Sequence, residues 1–149
     1  MLTSCVRQLS VNLDWETRLR QEVRLSPAHS RRDFDQLPIL DAVIRETLRL
    51  YPPVAGGQPR NTNKMVVLCE VEVFSGAQVS AQAWTLHREG NVFGEDVESW
   101  RPDRWLNCSL GSERRKEMYR WFWAFGSESR KCIGEELGLS NLRVAIASI

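Results

Sequence analysis

Apolar residues recur at helical spacing near the start, before Pro52 and at the end of this chain, and at strand spacing in between. From Leu2 to Val23 they fall at Leu2, Val6, Leu9, Leu13 and Leu19, which predicts helix, with Asn12 as a break between two pieces. Asp14/Arg18 and Glu16/Arg20 are placed to pair across one turn. Ser26 to Gln36 is polar, contains Pro27 and reads as a connection. In Leu37 to Leu50 the stripe Leu40, Ile44 and Leu48, with Val43 alongside, predicts a helix stopped by Pro52-Pro53. Met65 to Phe74 and Gln78 to Ala81, separated by Ser75-Gly76, predict short antiparallel strands in a small sheet. Trp121, Trp123 and Phe125 form a cluster of the kind that packs a core. After them Glu135 and Glu136 favour a helix start, and Leu142, Ile146 and Ile149 continue an apolar face.

Composition narrows the class. A chain of 149 residues that is 42% hydrophobic and 26% charged fits one soluble globular domain. A net charge of +1, with no basic run interleaved with aromatics, argues against nucleic acid as a partner. The four cysteines, Cys5, Cys69, Cys108 and Cys132, are far apart and form no Cys-x-x-Cys pair. Neither a zinc site nor a disulfide framework is signalled, and a reducing compartment is the simpler expectation. There is no internal repeat. No apolar run is long enough to cross a bilayer, and Met1-Leu2-Thr3-Ser4-Cys5 lacks the basic start and apolar stretch of a signal peptide. The chain as written is expected to be soluble, with no membrane segment.

Candidate chemistry centres on Cys132, within Phe125-Gly126-Ser127-Glu128-Ser129-Arg130-Lys131-Cys132-Ile133-Gly134. Arg130 and Lys131 place positive charges beside the sulfur, and a helix starting after Gly134 would direct unpaired amides towards it, both of which favour a thiolate able to ligate a metal. The competing reading of an isolated cysteine is a small buried hydrophobe. Glu46 and Arg49, three apart on the predicted helix, share a face. Read alone, they are an exposed ion pair worth roughly a few tenths of a kcal/mol.

The Cys132 string resembles the haem-binding loop of the cytochrome P-450 family, which runs Phe, any two, Gly, any, Arg, any, Cys, any, Gly. Phe125, Arg130, Cys132 and Gly134 match, while Glu128 stands where the family has Gly. The resemblance implies Cys132 as axial ligand of haem iron (iron protoporphyrin IX), Arg130 as partner of a haem propionate and Phe125 packed beside the haem and its sulfur ligand. Glu128 is expected to strain the loop and, by its charge, to oppose the thiolate. His87 and Arg60 are weaker propionate candidates. For His87, an ordinary polar surface position is the preferred reading.

Glu46-Thr47-Leu48-Arg49-Leu50-Tyr51-Pro52-Pro53 resembles the family's ExxR helix, and Trp100-Arg101-Pro102-Asp103-Arg104-Trp105 its Phe-x-Pro-Glu-Arg-Phe segment. A structural Glu46, Arg49, Arg104 triad follows, buried rather than exposed, with no part in the chemical step. Trp84 to Arg88 and Phe93 to Asp96 match the intervening stretch, and Leu9 to Val23 the region ahead of the ExxR helix, with Asn12-Leu13 replacing His-Pro. Pro102 to Leu106 has the flavour of fungal members.

The resemblance spans nearly all of residues 1–149, as a partial domain holding the ExxR helix, small sheet, meander, Cys loop and start of the last helix. It implies a mainly α fold with a small antiparallel sheet, the C-terminal part of the cytochrome P-450 fold. The implied activity is haem-dependent insertion of one oxygen atom from dioxygen into a small organic substrate, with electrons from a reductase. Eukaryotic members are usually anchored to the endoplasmic reticulum by an N-terminal segment, which these residues do not contain. The alternatives are an inactive truncated remnant and a non-enzymatic haem-binding fragment. The residues that would shape a substrate pocket lie mostly outside the part matched, so no substrate follows.

Overall fold

Helix α3 (Pro38–Leu50) runs between two halves of the core. The computed structural model describes residues 1–26, 33–109 and 111–149. The stripe Leu40, Ile44 and Leu48, with Val43, is buried as its spacing predicts. Pro38 opens the helix where its missing N–H costs nothing. Leu37 has no side chain that can cap, and the role passes to Glu22, whose carboxylate accepts from the Ile39 amide at 2.8 Å and the Leu40 amide at 2.9 Å. An anion at that end also complements the helix dipole.

Glu22 belongs to α2 (Leu13–Leu25), which follows α1 (Leu2–Val11) across Asn12, the predicted break. Asn12 leaves helical geometry at φ −121° and ψ 71°, and its side-chain amide donates back to the Gln8 carbonyl at 2.8 Å. The Glu16–Arg20 pair forms. Arg18 turns instead to Asp103, 3.5 Å away, and lies 3.9 Å from the centre of the Trp15 ring. Residues 27–32 of the expected connection lie outside the described residues, and Asp33–Gln36 forms a 3-10 turn.

The strands are β1 (Arg60–Asn61), β2 (Val66–Leu68), β3 (Val71–Val73) and β4 (Gln78–Val79). They form two antiparallel pairs, β2 with β3 and β1 with β4, in place of one hairpin turning at Ser75-Gly76. The tight turn falls at Cys69-Glu70, with both residues left-handed at φ 49° and 66°. That conformation matches the twist of a two-residue hairpin loop, so Val66 faces Val73 and Leu68 faces Val71. Ser75-Gly76 turns the chain towards β4, and the Gly76 amide donates to the Thr62 carbonyl at 2.7 Å.

Short helices α4 (Ala83–Leu86), α5 (Gly90–Phe93) and α6 (Asp103–Leu106) lead to α7 (Glu113–Trp121) and, after a 3-10 turn at Glu128–Arg130, to α8 (Glu135–Ala147). On one side of α3 a cluster joins Cys5, Leu19, Ile44 and Leu48 to Leu139 and Ile146. On the other, Ala42 meets Val92, Phe93, Trp105 and Met118. Leu142 and Ile146 are buried along α8 as expected, whereas Ile149 lies beyond the helix end and is exposed. The architecture is mainly helical with small antiparallel sheets. No described helix is long and apolar enough to cross a membrane.

Candidate functional site

Glu46 is buried and accepts five hydrogen bonds. Its Oε1 takes Arg49 Nη2, Arg104 Nε and the Arg101 amide, each at 2.9 Å. Its Oε2 takes Arg49 Nε at 3.0 Å and Trp105 Nε1 at 2.9 Å. The two guanidinium groups also donate to main-chain carbonyls. Arg49 donates to His87 at 2.8 Å and Ser99 at 3.2 Å. Arg104 donates to Phe93, to Asp96 and to Ser99. The side chains of Glu46, Arg49 and Arg104 are all but inaccessible, which settles the choice between a surface ion pair and a buried lock in favour of the lock. One carboxylate cannot balance two cations. Asp96 adds a second, 3.3 Å from Arg104 Nη1 and 2.8 Å from Arg101. Desolvation pushes the Asp96 carboxyl up, but Arg104 and Arg101 together outweigh it and hold the group below its ordinary range.

His87 corrects both sequence-based readings, because it is neither on the surface nor placed to meet a propionate: it is completely buried. Its Nδ1 lies 2.9 Å from the Arg49 carbonyl, and its Nε2 lies 2.8 Å from the Trp123 amide nitrogen. A carbonyl only accepts and an amide only donates, so the hydrogen sits on Nδ1 and Nε2 is the acceptor. The ring stacks on Phe122, with centroids 5.2 Å apart. Burial is the main cause that lowers its pKa from 6.5 to about 4; the bond to Arg49 opposes the shift, and the charges of Arg49 and Arg88 add to it.

Stability therefore depends on this imidazole. It is neutral when folded, with a pKa below its unfolded value, so its contribution is full above about pH 6.5 and is lost as pH falls towards 4. The full loss is about 3 kcal/mol at ~1.4 kcal/mol per pKa unit. Urea unfolding at pH 7 and pH 4 is expected to show this difference, and the His87→Phe variant should lack that share of it.

From Trp123 the chain enters the cysteine loop. Ala124 is buried, and Phe125 is half-buried with its ring against Gly138 of α8. Gly126 takes the left-handed position at φ +75°, where a Cβ would come within 2.9 Å of the Arg130 carbonyl oxygen. The Cys132 amide donates to the Phe125 carbonyl at 2.7 Å and closes the loop. Glu128–Arg130 is a right-handed 3-10 turn, a backbone open to any residue, so the expected strain at Glu128 is absent from the main chain. Gly126 carries the conformational demand instead. Gly126→Ala should cost about 1–3 kcal/mol in urea unfolding, from the left-handed φ and the carbonyl clash.

The Cys132 thiol is free and exposed two residues before the cap of α8. Arg130 is exposed, Ile133 is fully exposed, and Lys131 pairs with Glu135 at 2.8 Å. Cys5, by contrast, fits the small-hydrophobe reading: it is buried in the core, and burial pushes its thiol up. Arg60 is exposed on β1. Sequence reasoning missed the roles of His87, Glu22 and the Trp105 indole. All three lie in stretches that resemble the family, but their partners come from distant parts of the chain, which local spacing does not announce.

Comparison with known proteins gives the family. The family pattern described as Cytochrome P450 matches residues 2–149. Cytochrome P450 monooxygenase cicH of Emericella nidulans is 32% identical over 126 residues, covering 84% of this chain and 25% of that protein. Putative cytochrome P450 cyp-13B1 of Caenorhabditis elegans is 34% identical over 117 residues, 78% of this chain and 22% of that protein. Cytochrome P450 714C3 of rice, Oryza sativa subsp. japonica, is 34% identical over 149 residues, 97% of this chain and 28% of that protein. The chain thus spans about a quarter of the length of the curated relatives it matches. With a family match along essentially its whole length and a buried Glu46, Arg49, Arg104 lock, this chain belongs to the cytochrome P450 family.

Proposed function

We propose that residues 1–149 are a partial cytochrome P450 domain that supplies the thiolate side of a haem monooxygenase, with Cys132 as the axial ligand of haem iron. Proteins of this family are haem-dependent oxidoreductases, and their haem, when bound, carries the insertion of one oxygen atom from dioxygen into an organic substrate. The observation that carries the reading is the free, exposed Cys132 thiol at the end of a loop closed by the Phe125 carbonyl.

The residues around it fit an iron porphyrin. A thiol is a soft ligand for the iron, exposed Arg130 suits a carboxylate substituent, and Ile133 and Leu137 offer exposed apolar surface to the ring. Phe125, half-buried against α8, is on this reading the ring that packs beside the haem and its sulfur ligand. The Glu46, Arg49, Arg104 lock ties the stretch from Phe93 to Trp105 to α3 and on this reading has no part in the chemical step. A small organic substrate and an electron-donating reductase are the partners that this reading implies for the completed protein.

Haem titration of the purified chain against Cys132→Ala tests the ligand. The wild-type chain should bind one haem, and the variant should bind at least tenfold more weakly, as expected on loss of a metal–ligand bond. Equal binding by the two would reject Cys132 as the ligand.

A further inference from the structure

His87 is a buried, titratable side chain to which the thiolate chemistry gives no part. It nevertheless connects the Arg49 end of α3 to the segment that enters the cysteine loop. Its main-chain carbonyl accepts from Arg49 Nη1 at 2.8 Å, and its Nδ1–H donates to the Arg49 carbonyl at 2.9 Å, so the residue is clamped to the end of α3 from both sides. The only ring atom left, Nε2, accepts the Trp123 amide at 2.8 Å. Phe122 stacks on one face of the ring, and Phe93 meets it edge-on at 6.4 Å.

Trp123 stands two residues before Phe125, whose carbonyl closes the loop on the Cys132 amide. Its own carbonyl accepts the Gly126 amide at 3.1 Å, at the left-handed turn that starts the loop. Trp123 is therefore held at its N–H by His87 while its C=O sets the turn. No other side chain of the Glu46 lock reaches the loop by a described hydrogen bond.

We propose that His87 is a positioning residue for the cysteine loop: held by Arg49, it fixes the Trp123 amide and thereby the Phe125 to Cys132 closure that places the sulfur. Only the neutral imidazole can do this, because a protonated Nε2 has no lone pair to accept the amide. The charged groups that face it are Arg49 and Glu46 from α3 and Arg88 from its own segment; Phe93, Phe122 and Trp123 bring none. Burial and the two arginines disfavour the cation, and Glu46 favours it. Placement of the sulfur for iron rests on Cys132 being the haem ligand. The hold on Trp123 does not.

Two readouts test the hold without haem: hydrogen exchange of the Trp123 amide, and the alkylation rate of Cys132 relative to exposed Cys69, by mass spectrometry. His87→Phe keeps the stacking surface and loses both ring hydrogen bonds. His87→Gln keeps an oxygen that can accept from Trp123. Protection of Trp123 should fall about tenfold in His87→Phe, the factor expected for one buried hydrogen bond, and the Cys132 to Cys69 alkylation ratio should change several-fold. His87→Gln should restore most of both. In the wild-type chain, Trp123 protection corrected for intrinsic exchange should fall as His87 takes up a proton. This arm decides the matter if His87→Phe does not fold. Unchanged Trp123 protection in a folded His87→Phe chain, or in the wild type across that protonation, would overturn the proposal. If the wild-type chain binds no haem, Cys132 as ligand fails, while the exchange and alkylation results still decide the role of His87.

Discussion

Replacing Glu46 with alanine is expected to destabilise the protein by about 3–5 kcal/mol, the range for breaking a buried ionic network by removing one partner. Five donors lose their acceptor at once: Arg49 Nε and Nη2, Arg104 Nε, the Trp105 indole and the Arg101 amide. Arg49 and Arg104 are left as two buried cations with only carbonyls and the partly exposed Asp96 to answer them. Domains of this size are stable by about 5–15 kcal/mol, so the loss is a large share of the total. The melting temperature should fall on the order of 10 °C. Glu46→Gln sharpens the test, since in either orientation its amide NH2 must face Arg49, together with Arg104 or the Trp105 indole, and donors would then oppose donors. A fall of only a degree or two in Glu46→Ala would mean that the network is solvated and contributes no more than a surface pair.

The second large effect belongs to Phe93, whose ring is fully buried at the junction of the lock and the aromatic cluster. It meets His87 at 6.4 Å and Trp105 at 6.1 Å, and the Arg49 guanidinium lies 5.5 Å from its centre. Phe93→Ala is expected to cost about 3–5 kcal/mol, from the lost transfer energy and the cavity left behind. The cavity would open beside a paired network whose attractions are strong because it is dry, so admitted water would weaken the Arg49 contacts as well. Phe93→Leu refills most of the volume and should recover more than half of the loss in urea unfolding. Equal destabilisation by leucine and alanine would show that ring geometry, not filled space, is what matters there.

Legibility in the sequence followed the physics of each element. Helix α3 was plain because one stripe, Leu40, Ile44 and Leu48, repeats every four residues and Pro52-Pro53 ends it. The Glu46, Arg49, Arg104 lock could not be derived from spacing, since Glu46 and Arg104 are 58 residues apart. Only the likeness of both strings to one family put them together. The tight turn at Cys69-Glu70 is not legible in the sequence because neither residue favours a left-handed backbone, whereas Gly76 in Ser75-Gly76 does. Helix α7 was not foreseen: in Glu113 to Trp121 only Met118 is buried, so no stripe marks it. His87 was placed on the surface because Trp84 to Arg88 gives no local sign of burial. Its environment is built by Arg49, Phe122 and Trp123, from distant parts of the chain.

The cysteine loop was legible in its motif and not in its strain. Glu128 departs from the pattern, yet the left-handed backbone lies two residues earlier at Gly126, and the 3-10 turn accommodates residue 128 without it. The conformational demand of such a loop moves with its exact turn type, which residue identity alone does not reveal.

The absorption spectrum of the reduced carbon monoxide complex of the haem-loaded chain, with Cys132→Ala beside it, tests the central claim most directly. A thiolate-type Soret band in the wild-type chain, lost in the variant, is the predicted result. The same spectrum from both proteins would contradict Cys132 as the axial ligand of this cytochrome P450 chain.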